Sequence, residues 1–420
     1  MRVFVFAAVI VSSFSFGAFG QDTNQTPAKT RPRVVVVGAT PVPSPTQPRI
    51  VVIPNPTPGT VQSPVGPTAV TPSTNLVPAL LSLSQIKQKL AEAKREMTAR
   101  PLTIAMTDGV SPASPLEIVR LAFFDVATKQ LDFVSLTKDA FLTKGADYVL
   151  SSQALKMIRF RVIRPNGVNT PVTITDLEGR QHIPLMVQYP VVRNGIYYET
   201  AYYMSTHPGL VTAEVVNAGK LYVRNTIDAA REKLRQNGIA ISPKAADIAE
   251  RLSIVEHVDH YRFRTEHHPN IYNDVFTLYA LNEGQTYRYS VSSAGAGGMV
   301  QMIPSTYRMI RARFPSVPLM PDFVAGMQNH GNAAQAMLLY IQSTYDDLLR
   351  SPAITDALSN GLATDFELLS AGYNSNPAKL PGYIKRGGVS WRGLIPRETK
   401  IYLQINASLE RHVPFAPRGR

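Results

Sequence analysis

Glu283 is the acidic residue placed best for proton transfer. A helix is predicted over Asn270 to Glu283, with Phe276, Tyr279, Ala280 and Glu283 on one face by i,i+3/i+4 spacing. Desolvation disfavours the charged form of a carboxylate that closes an apolar stripe. An exposed glutamate in a fraying last turn has the same spacing. Gly284 is the expected stop. Downstream runs Ser292-Ser293-Ala294-Gly295-Ala296-Gly297-Gly298-Met299-Val300-Gln301-Met302-Ile303-Pro304-Ser305-Thr306. Its small residues let the backbone fold tightly beside a cleft, and Gln301 offers an amide for reading a polar ligand. Four histidines, His257, His260, His267 and His268, precede the helix. His257 and His260 at i,i+3 have ligand spacing, yet no carboxylate motif completes a metal site. No metal and no cofactor are expected.

Most glycosidases need two carboxylates. Asp274 lies on the same predicted helix as Glu283 but on the opposite face, about 13.5 Å along the axis. Asp322, Asp346 and Asp347 fall in other helical segments with no motif around them. No partner for Glu283 is legible.

The elements that must position these residues read as follows. Ser82-Leu83-Ser84-Gln85 fits a capping box, and Leu83, Ile86, Leu90, Ala93 and Met97 continue at helical spacing until Pro101. Strand signals come next. Ile158, Phe160 and Val162 alternate with arginines, and Pro165-Asn166-Gly167 makes a turn. Val191 to Tyr198 spans an Asn-Gly hairpin. On its second strand Tyr198 and Tyr202 are expected on one face, Tyr197 and Tyr203 on the other. Such tyrosine rows suit sugar stacking or a sheet buried on both sides. Thr226 to Asn237 is a predicted helix closed by Gly238. Ser242-Pro243 opens another, with Ala246, Ala249, Leu252 and Val255/Glu256 along its face.

The segment from Glu283 onward closely resembles the catalytic domain of soluble lytic transglycosylases, which share a lysozyme-like fold. That family has a Glu-Ser pair, a spacer, then Ser-x-x-Gly-Ala-x-Gly-Leu-Met-Gln-x-x-Pro-x-Thr. Glu283 stands at the acid and Ser292 at the serine, with Gly295-Ala296, Gly298, Gln301, Pro304 and Thr306 in register. Ala371-Gly372-Tyr373-Asn374-Ser375-Asn376-Pro377 is similar to the family's Ala-Tyr-Asn-Ala-Gly-Pro. Ile395-Pro396-Arg397-Glu398-Thr399-Lys400-Ile401-Tyr402 is similar to its Pro-x-Glu-Thr-x-x-Tyr closing helix. The likeness spans roughly residues 245 to 412. The chain departs from the pattern at Gly284, Met299-Val300 and Ser375-Asn376.

The resemblance implies peptidoglycan as substrate and the MurNAc-β-1,4-GlcNAc bond as target. Glu283 would protonate the leaving oxygen, then take the proton of the MurNAc C6 hydroxyl as it closes on C1, giving a 1,6-anhydro end. The acid step needs a pKa raised from about 4.3 to about 6, a little over 2 kcal/mol that burial supplies. Ser292, Gln301, Tyr373 and Asn374 would contact substrate or position Glu283. The rivals are a hydrolytic muramidase and a non-catalytic wall-binding or assembly protein. Trp391, the single tryptophan, suits a sugar at the rim or helix packing equally.

Composition sets the frame. The 420 residues contain no cysteine, which excludes disulfide scaffolds, Cys-zinc sites and thiol nucleophiles. The net charge of +13 suits a polyanionic partner. Peptidoglycan glycan strands with carboxylated stems fit, no nucleic-acid motif is present, and other envelope proteins are further candidates through the tether or the β-rich part. Met1 to Gly20 has the layout of a secretory signal peptide, with Arg2, an apolar core and Ala18-Phe19-Gly20. From Pro27 to Pro78 there are 13 prolines, and no acid lies between Asp22 and Glu92. This stretch is expected to be an extended tether, with two apolar hexamers at Pro32–Val37 and Pro48–Ile53. The expected fold class is α+β. The organisation is signal peptide 1–20, Pro-rich disordered linker 21–80, β-rich domain 81–225, helical lysozyme-like domain 226–412 and basic tail 413–420, in a protein exported to a bacterial periplasm or envelope.

Overall fold

The capping box at Ser82 forms as the sequence predicts. The Ser82 hydroxyl accepts from the Gln85 amide, the Gln85 side chain caps back, and helix α1 (Leu83–Ala99) buries Ile86, Leu90, Ala93 and Met97. Arg100 is extended, as a residue before proline must be. The computed structural model describes residues 74–100, 102, 115–193 and 195–419. The expected signal peptide, both hexamers and nearly all of the expected tether lie outside the described residues. Residues 74–80, at the end of the expected linker, are described and are tied down at Asn75. The Asn75 backbone N–H donates to Asn270 Oδ1 (2.8 Å), and its side-chain amide donates to Asn270 O (3.1 Å) and Asp274 Oδ1 (2.9 Å).

Seven antiparallel strands follow: β1 (Ile118–Asp125), β2 (Gln130–Thr137), β3 (Asp147–Ser151), β4 (Met157–Val162), β5 (Val172–Asp176), β6 (Gln181–Arg193) and β7 (Ile196–Met204), with a single helical turn, α2 (Lys138–Phe141), between β2 and β3. The order is β2-β1-β6-β5-β4-β3, with β7 also on β6. β6 is long enough to pair β5 at its start and β7 over its second half. The sheet curls until the segment after β3 meets β2, where Gln153 N–H donates to Phe133 O (2.7 Å). Ile158, Phe160 and Val162 point inward in strict alternation with Met157, Arg159 and Arg161. The opposite face of β6 and β7, carrying Met186, Tyr202 and Met204, packs on α1.

The tyrosine faces differ from expectation. Val191 pairs Glu199 but Val192 pairs Tyr197, so Tyr198 is the extra residue of a β-bulge. Directly paired residues share a face. The bulge therefore moves Tyr197 to the face of Thr200 and Tyr202, where its hydroxyl meets Thr200 Oγ1 at 2.9 Å. Tyr203 is buried, while Tyr197 and Tyr198 are each 47 % exposed.

The chain turns helical before residue 226. Helix α3 (Ala213–Gln236) is capped by Thr212 and runs straight through the expected 225/226 boundary. Its buried stripe of Val216, Val223, Ile227, Ala230 and Leu234 carries the signal upstream. Gly219 is where α3 meets helix α6 (His268–Asn282): a Cβ there would lie 1.9 Å from Phe276 O. The rest comprises α4 (Pro243–Val255), α5 (His260–Thr265), α7 (Pro304–Arg313), α8 (Phe323–Gln328), α9 (His330–Leu349), α10 (Pro352–Ser359), α11 (Asp365–Asn374), α12 (Leu380–Gly387) and α13 (Arg397–His412). α9 runs through the middle, buried on most sides. One continuous core joins barrel and helices, and residues 69–420 form one unit. The fold is mixed α+β. No described helix is long and apolar enough to cross a membrane.

The expected basic tail is docked. Arg418 has a side chain only 4 % exposed and binds Asp228, Asp247 and Glu250 on α3 and α4. Three carboxylates around one guanidinium explain why this cation leaves solvent. Trp391 is buried and donates to Leu362 O (3.0 Å), which fixes its role as packing.

Candidate active site

α4 begins as the sequence indicates, with Ser242 as cap and Pro243 in the first turn, and buries Ala246, Ala249, Leu252 and Val255. The next residue, Glu256, caps its C-terminus. Glu256 Oε1 accepts from the Tyr402 hydroxyl at 2.7 Å. Oε2 makes no hydrogen bond among the described residues and is not sealed from solvent. Burial pushes this carboxyl up to about 8. The Tyr402 hydrogen bond opposes that shift, and the Glu398 charge adds to it. The C-terminal end of a helix also disfavours a negative charge.

The three sequence blocks meet around this residue. His257 donates from Nε2 to Met299 O (3.0 Å), the carbonyl acceptor fixing the tautomer. The His257 ring stacks on Tyr287. Burial holds His257 at about 3, so it is neutral near pH 7. Tyr373, on α11, donates to Val300 O (2.6 Å). Burial raises the Tyr373 hydroxyl well above 10, and the nearby Glu256 carboxylate raises it further. Asn374 Oδ1 accepts from Thr399 Oγ1 (2.9 Å), joining α11 to the first turn of α13. Tyr402 lies on that same helix.

The glycine-rich segment is a tight loop. Ser292 is exposed; its amide donates to Ala296 O (2.9 Å) and its hydroxyl accepts from Ala296 N–H (3.0 Å). Gly298 has φ +68°, and a Cβ would lie 2.2 Å from Met327 O, so glycine is required where the loop presses on α8. Gln301 is left-handed at φ +45°. Its amide donates to Gly298 O (2.9 Å) and reaches Ser290 (3.4 Å). Gln301 therefore braces the loop.

Glu283 stands elsewhere. α6 stops at Asn282, and Glu283 itself, not Gly284, breaks the helix with φ +38°. Phe276, Tyr279 and Ala280 are buried as predicted, but the backbone reversal turns Glu283 out of the apolar stripe. Its side chain is 52 % exposed and ion-paired with Lys87 of α1 at 2.5 Å. It lines a groove with Lys94, Met186 and Tyr202. No hydrogen bond or ion pair joins it to Ser292, Gln301, Tyr373 or Asn374 among the described residues. Glu283 thus stands exposed at the edge of that groove, and the carboxyl that the motif blocks surround is the part-buried Glu256. Asp274, as expected, does not face Glu283; it pairs with Arg262 at 2.7 Å. Asp322 caps α8, and Asp347 pairs with Arg313.

The signal for Glu256 was present in the sequence. It closes an apolar stripe just as Glu283 does, and only the nine-residue spacing to Ser292 favoured the latter. No described group of histidines and acids is arranged to hold a metal. His260 opens α5, separate from His257 at the end of α4. No family model, no curated protein and no solved structure matches the chain.

Proposed function

We propose that this protein is a peptidoglycan lytic transglycosylase with an exported, tethered, lysozyme-like helical domain, and that Glu256 is its single acid and base. One observation carries the reading. The three blocks that resemble the family converge on one part-buried carboxyl whose Oε1 is held by Tyr402. A carboxyl at about 8 carries its proton at neutral pH.

Glu256 Oε2–H would protonate the oxygen leaving C1 of MurNAc as the C1–O bond breaks. The C6 hydroxyl would then close on C1 and return its proton to the Glu256 carboxylate. This gives a 1,6-anhydro end, consumes no water and restores the starting enzyme. The MurNAc acetamido group would carry the developing charge. Ser292 lies exposed in the loop that Gln301 and Tyr373 brace, and Asn374 ties α11 to α13 behind it, so the loop would face the substrate. Stem carboxylates fit the positive chain, and nothing in the sequence suggests nucleic acid. The site belongs in the periplasm or envelope, where other envelope proteins would meet the tether.

A hydrolytic muramidase is the second reading. It is favoured by Glu398, one turn before Tyr402 on the same face of α13 and exposed, which supplies a second carboxylate near Glu256.

The test is mass analysis of products released from purified peptidoglycan by mature protein, Glu256→Gln and Glu283→Gln. Anhydromuramyl products are expected from wild type and Glu283→Gln and are expected to vanish in Glu256→Gln. The reverse pattern would return the acid to Glu283. Reducing ends would mark a muramidase. Wall binding without release by any form would mark a scaffold.

A further inference from the structure

The exposed tip of the β6–β7 hairpin is not used by the chemistry above. The bulge leaves Tyr198 unpaired between Tyr197 and Glu199. A bulge bends its strand and re-aims the side chain it carries. The neighbour of Tyr198, Glu199, pairs with Arg288, whose guanidinium lies 6.0 Å over the Tyr289 ring, so Tyr289 stands on the same side of the hairpin. The Arg193 guanidinium sits 4.3 Å over the Tyr198 ring, and the residue is half exposed.

This tip is tied to the candidate active site. Glu199 pairs with Arg288 at 3.3 Å, Tyr289 packs edge-on against Tyr203, and Tyr203 accepts from the Tyr287 amide (3.2 Å). Tyr287 stacks on His257, the neighbour of Glu256. Ser290, the next residue but two, receives the Gln301 amide. The hairpin tip therefore abuts the loop, and the buried Tyr203 and Tyr287 link both to His257.

We propose that Tyr198, with Tyr289 beside it, is an aromatic platform for a pyranose ring of the glycan strand, beyond the two sugars that flank the scissile bond. The inference rests on the proposed function for the identity of the strand. Three features select a sugar. The ring is braced by Arg193 and half exposed, and stacking on the C–H face of a pyranose needs an accessible ring. The hairpin that carries it is ion-paired to the loop of the candidate site through Glu199 and Arg288. The adjacent guanidinium of Arg193 complements the carboxylates of a stem peptide.

The experiment is calorimetric binding of β-1,4-linked GlcNAc trimer and hexamer to full-length mature protein in a Glu256→Gln background, so that no turnover intervenes. Tyr198→Ala is expected to weaken the hexamer roughly fivefold and leave the trimer unchanged. Tyr198→Phe, which keeps the ring, is expected to bind as the parent does. Unchanged hexamer affinity in Tyr198→Ala would overturn the platform, and so would equal loss for both oligomers. Sedimentation with phosphatidylglycerol vesicles that depends on Tyr198 while the hexamer is unaffected would assign the tip to a lipid surface instead. Because binding is read without cleavage, a Tyr198-dependent hexamer signal would support the platform even if purified peptidoglycan were never cut.

Discussion

Glu256 and Tyr402 form the smallest unit with consequences for both activity and stability. The hydroxyl of Tyr402 lowers the carboxyl that burial raises. Tyr402→Phe should therefore move the alkaline limb of a kcat/KM–pH profile for peptidoglycan upward. It should also reduce kcat by about tenfold, because the acid loses the bond that orients it. A second prediction concerns folding. Glu256 holds its proton up to about 8 when folded, whereas an unfolded glutamate ionises near 4.5. Between these values the native state binds the extra proton, so stability falls as pH rises across that window. Glu256→Gln removes the penalty. Thermal unfolding should show the variant more stable than wild type at pH 8 and equal to it at pH 4. His257 has the opposite sign: its folded value near 3 lies below 6.5, so its contribution to stability is lost as pH falls through that range.

At the scale of elements, the closest backbone approach is α3 on α6 at Gly219. Gly219→Ala should destabilise the protein by about 3 kcal/mol in urea titration, because its Cβ would meet a carbonyl that cannot swing away. Gly284→Ser places a hydroxyl in open space and should change stability by less than about 0.5 kcal/mol. These helices also show what a one-dimensional reading reaches. The caps at Ser82 and Ser242, the stripe of α1, the alternation of β4 and the β6–β7 hairpin were all legible, because each is set by neighbours within a few residues. The start of α3 was not read, although Val216 and Val223 carry its stripe. The bulge at Tyr198 was hidden because it depends on pairing across the hairpin. The exposure of Glu283 was hidden for a related reason, since it follows from a single backbone reversal at that residue. The bonds of Gln301, Tyr373 and Asn374 to backbone carbonyls and Thr399 are tertiary and have no local signature.

For the molecule as a whole, the two ends of the described chain are fastened to the helical body. Arg418→Ala leaves Asp247 and Glu250 without their buried partner and should cost about 3 kcal/mol, read as a lower denaturation midpoint at unchanged m-value. The other fastening is at Asn75. Its amide and carboxamide bind Asn270 and Asp274, its side-chain oxygen accepts from Asn273 (2.9 Å), and Arg262 secures Asp274 from behind. This arrangement acts as a strain relief, like the clamp where a cable enters a housing. Tension applied upstream of Thr74 loads four short bonds to the first turns of α6 together, before it reaches α1. The helix that covers the sheet is thereby spared from peeling one turn at a time, and the pull is passed to the core that holds Glu256.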